Sequence, residues 1–135
     1  MTIVEIVDYF NGFSVFQKII NFKTKKAILW VFSGLAFILS AIIDNLTATI
    51  VLISILQKVV SDKKLRIWYA ALIVVAANAG GAWSPIGDVT TTMLWIGDKV
   101  STPMLIQYLL IPSIACAAAA AGVASILPVF KGKIK

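Results

Sequence analysis

AILWVFSGLAFILSAIIDNLTATIVLISILQKVV, Ala27 to Val60, is the stretch on which the fold turns. It is apolar almost throughout, yet lysines flank it and Ser40, Asp44, Asn45 and Thr47 lie in its middle. As one straight helix it would be about 51 Å long, against a hydrocarbon core of about 30 Å. Folded near residues 44–47, each arm is about 21–24 Å, short for a full crossing and the size of a re-entrant hairpin.

Charge chooses between the two arrangements. Lys18, Lys23, Lys25 and Lys26 precede the stretch, and Lys58 at its very end is followed by Lys63, Lys64 and Arg66. A single crossing would put these basic loops on opposite sides of the membrane, against the positive-inside rule. A hairpin over residues 27–60 puts both in the cytoplasm. Residues 67–100 then cross outward to Gly97-Asp98-Lys99, and residues 103–130 return to a basic tail, 131–135. Of the 12 basic residues, all but Lys99 end up inside. Trp30 and Trp68-Tyr69 fall beside the inner boundary, where amphipathic rings prefer to sit.

The whole composition agrees with an all-α integral membrane protein. Of 135 residues, 60% are hydrophobic and 13% charged, with a mean hydropathy of +0.96. A soluble domain of this size could not hide that much apolar surface. The apolar runs are long and show no strict alternation, which favours helices over a barrel. The net charge of +6 resides between or beyond those runs, so it reads as topology signal and lipid-headgroup contact rather than nucleic-acid binding. Cys116 is the single cysteine, which excludes an intrachain disulfide. The absence of histidine removes zinc-type His clusters and imidazole pH sensing.

Residues 1–22 read as a partial N-terminal helix and amphipathic segment, interrupted at Asn11-Gly12. The opening MTIVEIVDYF has Glu5 and Asp8 where a signal peptide would be basic, and it lacks a small-residue cleavage site. It reads as the tail of a helix, so the chain is expected to be a piece of a longer protein.

A second interruption, NAGGAWSPIGDVTTT (Asn78–Thr92), shares the grammar of the first: apolar helix, a few small or polar residues with an aspartate, apolar helix. Gly80 and Gly81 permit unusual dihedrals, and Pro85 removes a backbone donor. Unwound backbone at membrane depth is tolerated only where protein or water surrounds it, and paired interrupted segments mark the ion sites of secondary transporters. Asp44 precedes NLTATIV and Asp88 precedes VTTTMLW, so each can cap a helix, which is worth about 1 kcal/mol. An ionisable side chain at that depth costs roughly 2.5–3.5 kcal/mol, more than a cap returns, and Ser or Asn would cap at lower cost. The excess argues for function, with capping as a second role of the same carboxylates.

Oxygen donors without His or Cys suit a hard cation such as sodium. Burial of a carboxylate favours its protonated form, so one site can hold either a proton or a sodium ion. Competition for one site reached alternately from each side is sufficient for antiport. Asp44 and Asp88 are the candidate sodium and proton sites, with Asn45, Thr47, Asn78, Ser84 and Thr90 as polar ligands. For the polar residues, satisfying freed backbone groups in a broken helix is an equally good explanation. In the last block, SIACAAAAAGVAS reads as a close-packing surface.

SAIIDNLTATIVLISIL together with AANAGGAWSPIGDVTTTMLWIGD resembles the NhaD-type sodium/proton antiporters of the ion transporter superfamily. The resemblance extends from MTIVEIVD to about Thr102. It departs at YFNGF, where the family pattern has a His-containing segment. It implies one half of an inverted-repeat transporter: a re-entrant hairpin with Asp44, Asn45 and Thr47 at its tip, and a broken helix with Asn78, Ser84, Pro85, Gly87, Asp88 and Thr90 at its break. It also implies exchange of sodium or lithium for protons in a multi-pass protein of the inner membrane. The expected partners are lipid, the transported ions, the second repeat of the parent protein, and a homodimer mate. No cofactor and no enzymatic activity are expected, and the single repeat alone is expected to be inactive.

Three rivals stand beside this reading. A sodium-coupled dicarboxylate or arsenite carrier lacks a nearby Arg or Lys for its anion. An intramembrane aspartyl protease would need Gly-x-Gly-Asp where this chain has Pro85-Ile86-Gly87-Asp88. A non-transporting helical protein accounts for the alanine-rich helix but for neither interruption.

Overall fold

The computed structural model describes residues 24–132. The helix expected over residues 1–22, with Glu5 and Asp8, lies outside the described residues, as do Lys18, Lys23 and the tail from residue 133. The described residues form helices and no extended strand. Helix α1 is Lys25–Ile43, α2 is Asn45–Val59, α3 is Lys63–Ala82, α4 is Val89–Ile96 and α5 is Thr102–Ile126, followed by a 3-10 turn at Pro128–Phe130. By length and composition α1, α3 and α5 are each able to cross a membrane.

Asp44 alone separates α1 from α2. The arms are not equal: α1 has 19 residues and α2 has 15. The first arm therefore exceeds the length expected of it, because helical conformation extends back through Lys25 and Lys26. At 1.5 Å per residue α1 is about 28 Å long and α2 about 22 Å.

The helix ends gather in two groups. At one end, the Tyr69 hydroxyl donates to the Lys25 carbonyl at 2.7 Å and Lys25 N–H donates to the Gly132 carbonyl at 3.3 Å. The Tyr69 and Phe130 rings meet edge to face with centroids 5.2 Å apart. This end carries the basic termini of α1, α2, α3 and α5. The sequence places Tyr69 at the lipid boundary beside Trp68. In the structure it turns inward and is 1% exposed, while Trp30 and Trp68 remain outside. At the other end, α1, α2, α3 and α4 meet at the two interruptions.

The core between these ends consists of Ile28, Leu29, Phe32 and Ala36 from α1, Leu52, Ile55 and Leu56 from α2, Leu65, Tyr69, Ile73, Ala76 and Ala77 from α3, and Ala121 and Ala124 from α5, closed at the basic end by Val60 and Phe130. The α1 residues recur at helical spacing and so form one stripe. Helix α5 contributes little beyond its small residues and runs unbroken in secondary structure through Pro112. Helix α4 buries none of its residues in this chain.

Candidate functional site

The chain reverses at Asp44 with φ 122° and ψ 157°, a region of backbone space occupied almost only by glycine. The local reward is a double cap. Asp44 Oδ1 accepts from Thr47 N–H and Asp44 Oδ2 accepts from the Thr47 hydroxyl, both at 2.7 Å. These bonds satisfy one orphan donor at the start of α2 and place Asn45 on its first turn.

The second interruption is narrower than expected. Asn78, Gly80 and Gly81, expected at the break, lie within the last turns of α3, and the non-helical backbone covers only residues 83–88. Gly80 and Gly81 therefore do not supply unusual dihedrals. They supply room. A Cβ on Gly80 would run into the Phe37 carbonyl, and one on Gly81 would run into the Gly87 carbonyl. A Cβ on Gly87 would lie 2.7 Å from both Gly81 Cα and the Ser40 carbonyl oxygen. Three glycines thus let the backbones of α1, α3 and the second break touch.

Two buried serines stitch this contact. The Ser40 hydroxyl donates to the Ala77 carbonyl, and the Ser84 hydroxyl donates to the Ala41 carbonyl at 2.7 Å. They satisfy carbonyls at the end of α3 and of α1, where helical partners run out or the close approach exposes them. The sequence suggests Ser84 as an ion ligand; its hydroxyl is occupied by this backbone bond. Ser40 is fully buried, and no local pattern reveals its role because its partner is distant in sequence.

Asp88 begins α4 as Asp44 begins α2. Its Oδ1 accepts from Thr90 N–H at 2.8 Å. The Thr91 and Thr92 hydroxyls both donate to the Asp88 carbonyl, and Thr91 also donates to the Ser84 carbonyl at 2.9 Å. The threonine run thus secures the first turn of α4. Pro85 lies inside the break and is partly buried. The Trp83 ring stacks on Phe37, and its buried indole N–H has no acceptor among the described residues.

Asn45 joins the two interruptions. Its backbone N–H donates to the Gly87 carbonyl at 3.0 Å. Its side-chain Nδ2 donates to Asp88 Oδ2 at 2.7 Å and to Asn78 Oδ1 at 2.8 Å. Asn78 is held in turn by its own Nδ2, which donates to the Val74 carbonyl at 3.0 Å. The structure therefore brings Asp88, Asn45 and Asn78 into direct contact. It places Asp44 and Thr47 one residue and one half-turn away, as a separate pair bonded to each other. Asn78 and Thr90 are exposed, and Asp44, Asn45 and Asp88 are half-buried. The cluster opens on a surface that the described residues do not cover.

Two half-buried carboxylates, each at the start of a helix, one of them joined through Asn45 to Asn78 in a polar cluster and neither paired with a basic side chain among the described residues, suit a cation rather than an anion. The model of the citrate transporter family matches residues 1–135. The chain belongs to that family. Among its curated relatives, sodium/proton antiporter 1 of Arabidopsis thaliana is 45% identical over 133 residues, which is 98% of this chain and 23% of the relative. Sodium/proton antiporter 2 of the same plant is 49% identical over 113 residues, 84% of this chain and 27% of the relative. The Na(+)/H(+) antiporter NhaD of Vibrio parahaemolyticus is 40% identical over 92 residues, 62% of this chain and 22% of the relative. These matches bear out the resemblance to NhaD-type antiporters. The chain spans about a quarter of the length of these curated relatives. No solved structure matches it.

Proposed function

We propose that this chain is part of a multi-pass carrier that exchanges sodium or lithium for protons. In this reading α1 and α2 form a re-entrant hairpin, and α3, the break at 83–88 and α4 form a broken helix. The whole is most of one repeat, one half of an inverted-repeat transporter, in an inner, or cytoplasmic, membrane. The other repeat supplies the wall that the cluster lacks, and the chain by itself does not transport.

The observation that carries the reading is the junction of the two interruptions through Asn45, which brings the Asp88 carboxylate and the Asn78 carbonyl oxygen together. Asp88 is the exchanging group, holding a proton or a sodium ion, with Asn45, Asn78 and the Thr90 hydroxyl as ligands. Asp44 with Thr47 adds negative charge at the facing helix start and completes the pair of titrating carboxylates. Positive half-helix ends aimed at the site are offset by these two carboxylates, leaving net attraction for a cation. Gly80, Gly81, Pro85, Gly87 and Ser84 shape the backbone around the site without touching the ion.

The family's name points to a second reading, a carrier of a citrate-like carboxylate. Against it, no Lys or Arg occurs within residues 27–57 or 67–98, which contain both interruptions. The test uses everted vesicles with the complete protein that carries this segment. Sodium should dissipate a preformed pH gradient and Asp88→Asn should abolish the response. An intact response in that variant sinks the assignment, and uptake of labelled citrate without sodium-driven proton movement would favour the carboxylate carrier.

A further inference from the structure

We propose that the groove between α2 and α3 at the basic end of the bundle binds an anionic phospholipid, with its phosphate at Lys63 and Arg66 and one acyl chain along Ile67 and Ala70. The inference rests on the membrane placement of these helices and not on which ion is exchanged.

Helix α2 runs toward the basic end and α3 runs away from it, with residues 60–62 between them. Their facing sides leave a groove of about 330 Å³. Lys63, Arg66, Ile67 and Ala70 stand on one face of α3, since residues three, four and seven apart are neighbours on a helix. Gln57 and Ile53, one turn apart, face them from α2. The lining therefore changes character along the groove. Gln57, Lys63 and Arg66 form its mouth at the basic end, and Ile53, Ile67 and Ala70 form an apolar trough leading away from it. Ile67 is 64% exposed, so the trough faces outward, toward lipid, and not into the core. A cationic mouth on an apolar trough is complementary to a phosphate joined to a hydrocarbon chain, and basic pockets between transmembrane helices on the cytoplasmic side are where anionic headgroups bind.

The two cations are available for that task. Asp62 is the one carboxylate at this end among the described residues, and its Oδ1 accepts from the Lys64 and Leu65 N–H groups as the cap of α3. Neither Lys63 nor Arg66 is paired with a carboxylate among the described residues. The Arg66 guanidinium can give a phosphate two parallel N–H donors, Lys63 adds a point charge, and the Gln57 amide adds a neutral donor. Two other grooves flank α5, one beside Trp30 and one beside Trp68, but no charged residue lines either. They offer nothing that would select a headgroup. The α2–α3 groove is also small. One turn of helix with its side chains fills roughly 400–600 Å³ as a cylinder, so a flexible chain suits the groove better than a partner helix does.

The test is native mass spectrometry of the purified complete protein, titrated in detergent with dioleoyl phosphatidylglycerol or, as zwitterionic control, dioleoyl phosphatidylcholine. Phosphatidylglycerol should be retained at concentrations where phosphatidylcholine is not. Lys63→Gln with Arg66→Gln should weaken retention roughly thirtyfold, since each interfacial cation is worth about fivefold. Lys26→Gln with Lys64→Gln removes the same charge from the same end but outside the groove, and should weaken it far less. Equal losses in the two double variants would mean that diffuse basic charge attracts the lipid, and would overturn the proposal. Ala70→Leu fills the trough and keeps both cations, so it should also weaken retention; unchanged binding puts the chain elsewhere and overturns the proposal too. The wild type alone keeps the test decisive if a variant does not fold. Equal retention of the two lipids, displacement by glycerol phosphate in solution, or no retained lipid because another protein segment covers the groove each refutes the site. None of these outcomes bears on sodium-driven proton movement, so the exchange reading stands or falls separately.

Discussion

Asn45 and Asp88 each stand at the start of a different helix, and their side chains meet at 2.7 Å. This bond crosses the two interruptions of the chain and is the only side-chain bond to the second oxygen of Asp88 among the described residues. A donor to an ionised group contributes about 1.5–3 kcal/mol. Asn45→Ala and Asp88→Ala should each destabilise the protein. The double variant should cost less than the sum by roughly 1–2 kcal/mol, as direct partners do. Denaturation in mild detergent, run as a double-mutant cycle, measures that coupling; additivity would mean the bond is not formed.

Asp44 presents opposing effects at one residue. Its backbone conformation costs a non-glycine residue about 1–3 kcal/mol, and its cap returns about 1 kcal/mol. Asp44→Ala keeps the strain and loses the cap, so it should lower the melting temperature. Asp44→Gly loses the cap and the strain together, so it should be more stable than Asp44→Ala and near the parent. Thermal unfolding of the three proteins side by side gives the order, and an alanine variant equal to glycine would show that residue 44 is unstrained.

The glycines divide by what surrounds them. Gly80→Ala and Gly87→Ala force a Cβ into backbone atoms of α1 and α3, and overpacking of this kind costs about 1–3 kcal/mol or more. Gly122→Ala in α5 meets nothing within 4 Å and should be neutral, or gain up to about 1 kcal/mol from helix propensity. Folded yield and thermal stability of the three variants check the contrast.

The basic end of the bundle should be separable from the site. Tyr69→Phe removes the hydrogen bond to the Lys25 carbonyl and keeps the ring against Phe130. The expected loss is about 1 kcal/mol of stability, with sodium/proton exchange by the complete protein unchanged. A transport defect at equal folded yield would show that this end participates in the exchange cycle.

Topology has a direct measurement as well. In a Cys116→Ser background, Lys26→Cys and Ser61→Cys should react with a membrane-impermeant maleimide from the same side, and Gly97→Cys from the other. Labelling of positions 26 and 61 from opposite sides would make residues 27–60 a single crossing and end the re-entrant reading.

Several features are legible in the amino-acid chain itself. Hydropathy sets the class, because a backbone in lipid must satisfy its own hydrogen bonds and 60% hydrophobic residues leave few alternatives to helices. Asp44-Asn45 before LTATIV and Asp88 before VTTT announce two helix starts, since a cap is written within three residues of the turn it serves. The polar set at the two interruptions is readable for the same local reason.

Tertiary structure alone decides how those local pieces are used. Gly80 and Gly81 read as breakers and are packing surfaces inside α3, because their neighbours, Phe37 and Gly87, are set by the approach of other segments. Ser84 reads as a ligand and is a stitch to the Ala41 carbonyl. Tyr69 reads as a boundary ring and is a buried clamp on Lys25 and Phe130. Asn45 is one polar residue among several until Asn78 and Asp88 come within hydrogen-bond reach from 33 and 43 positions away. Periodicity and capping depend on adjacent residues and can be read from sequence; the meeting of side chains depends on how helices pack, and no local pattern records it.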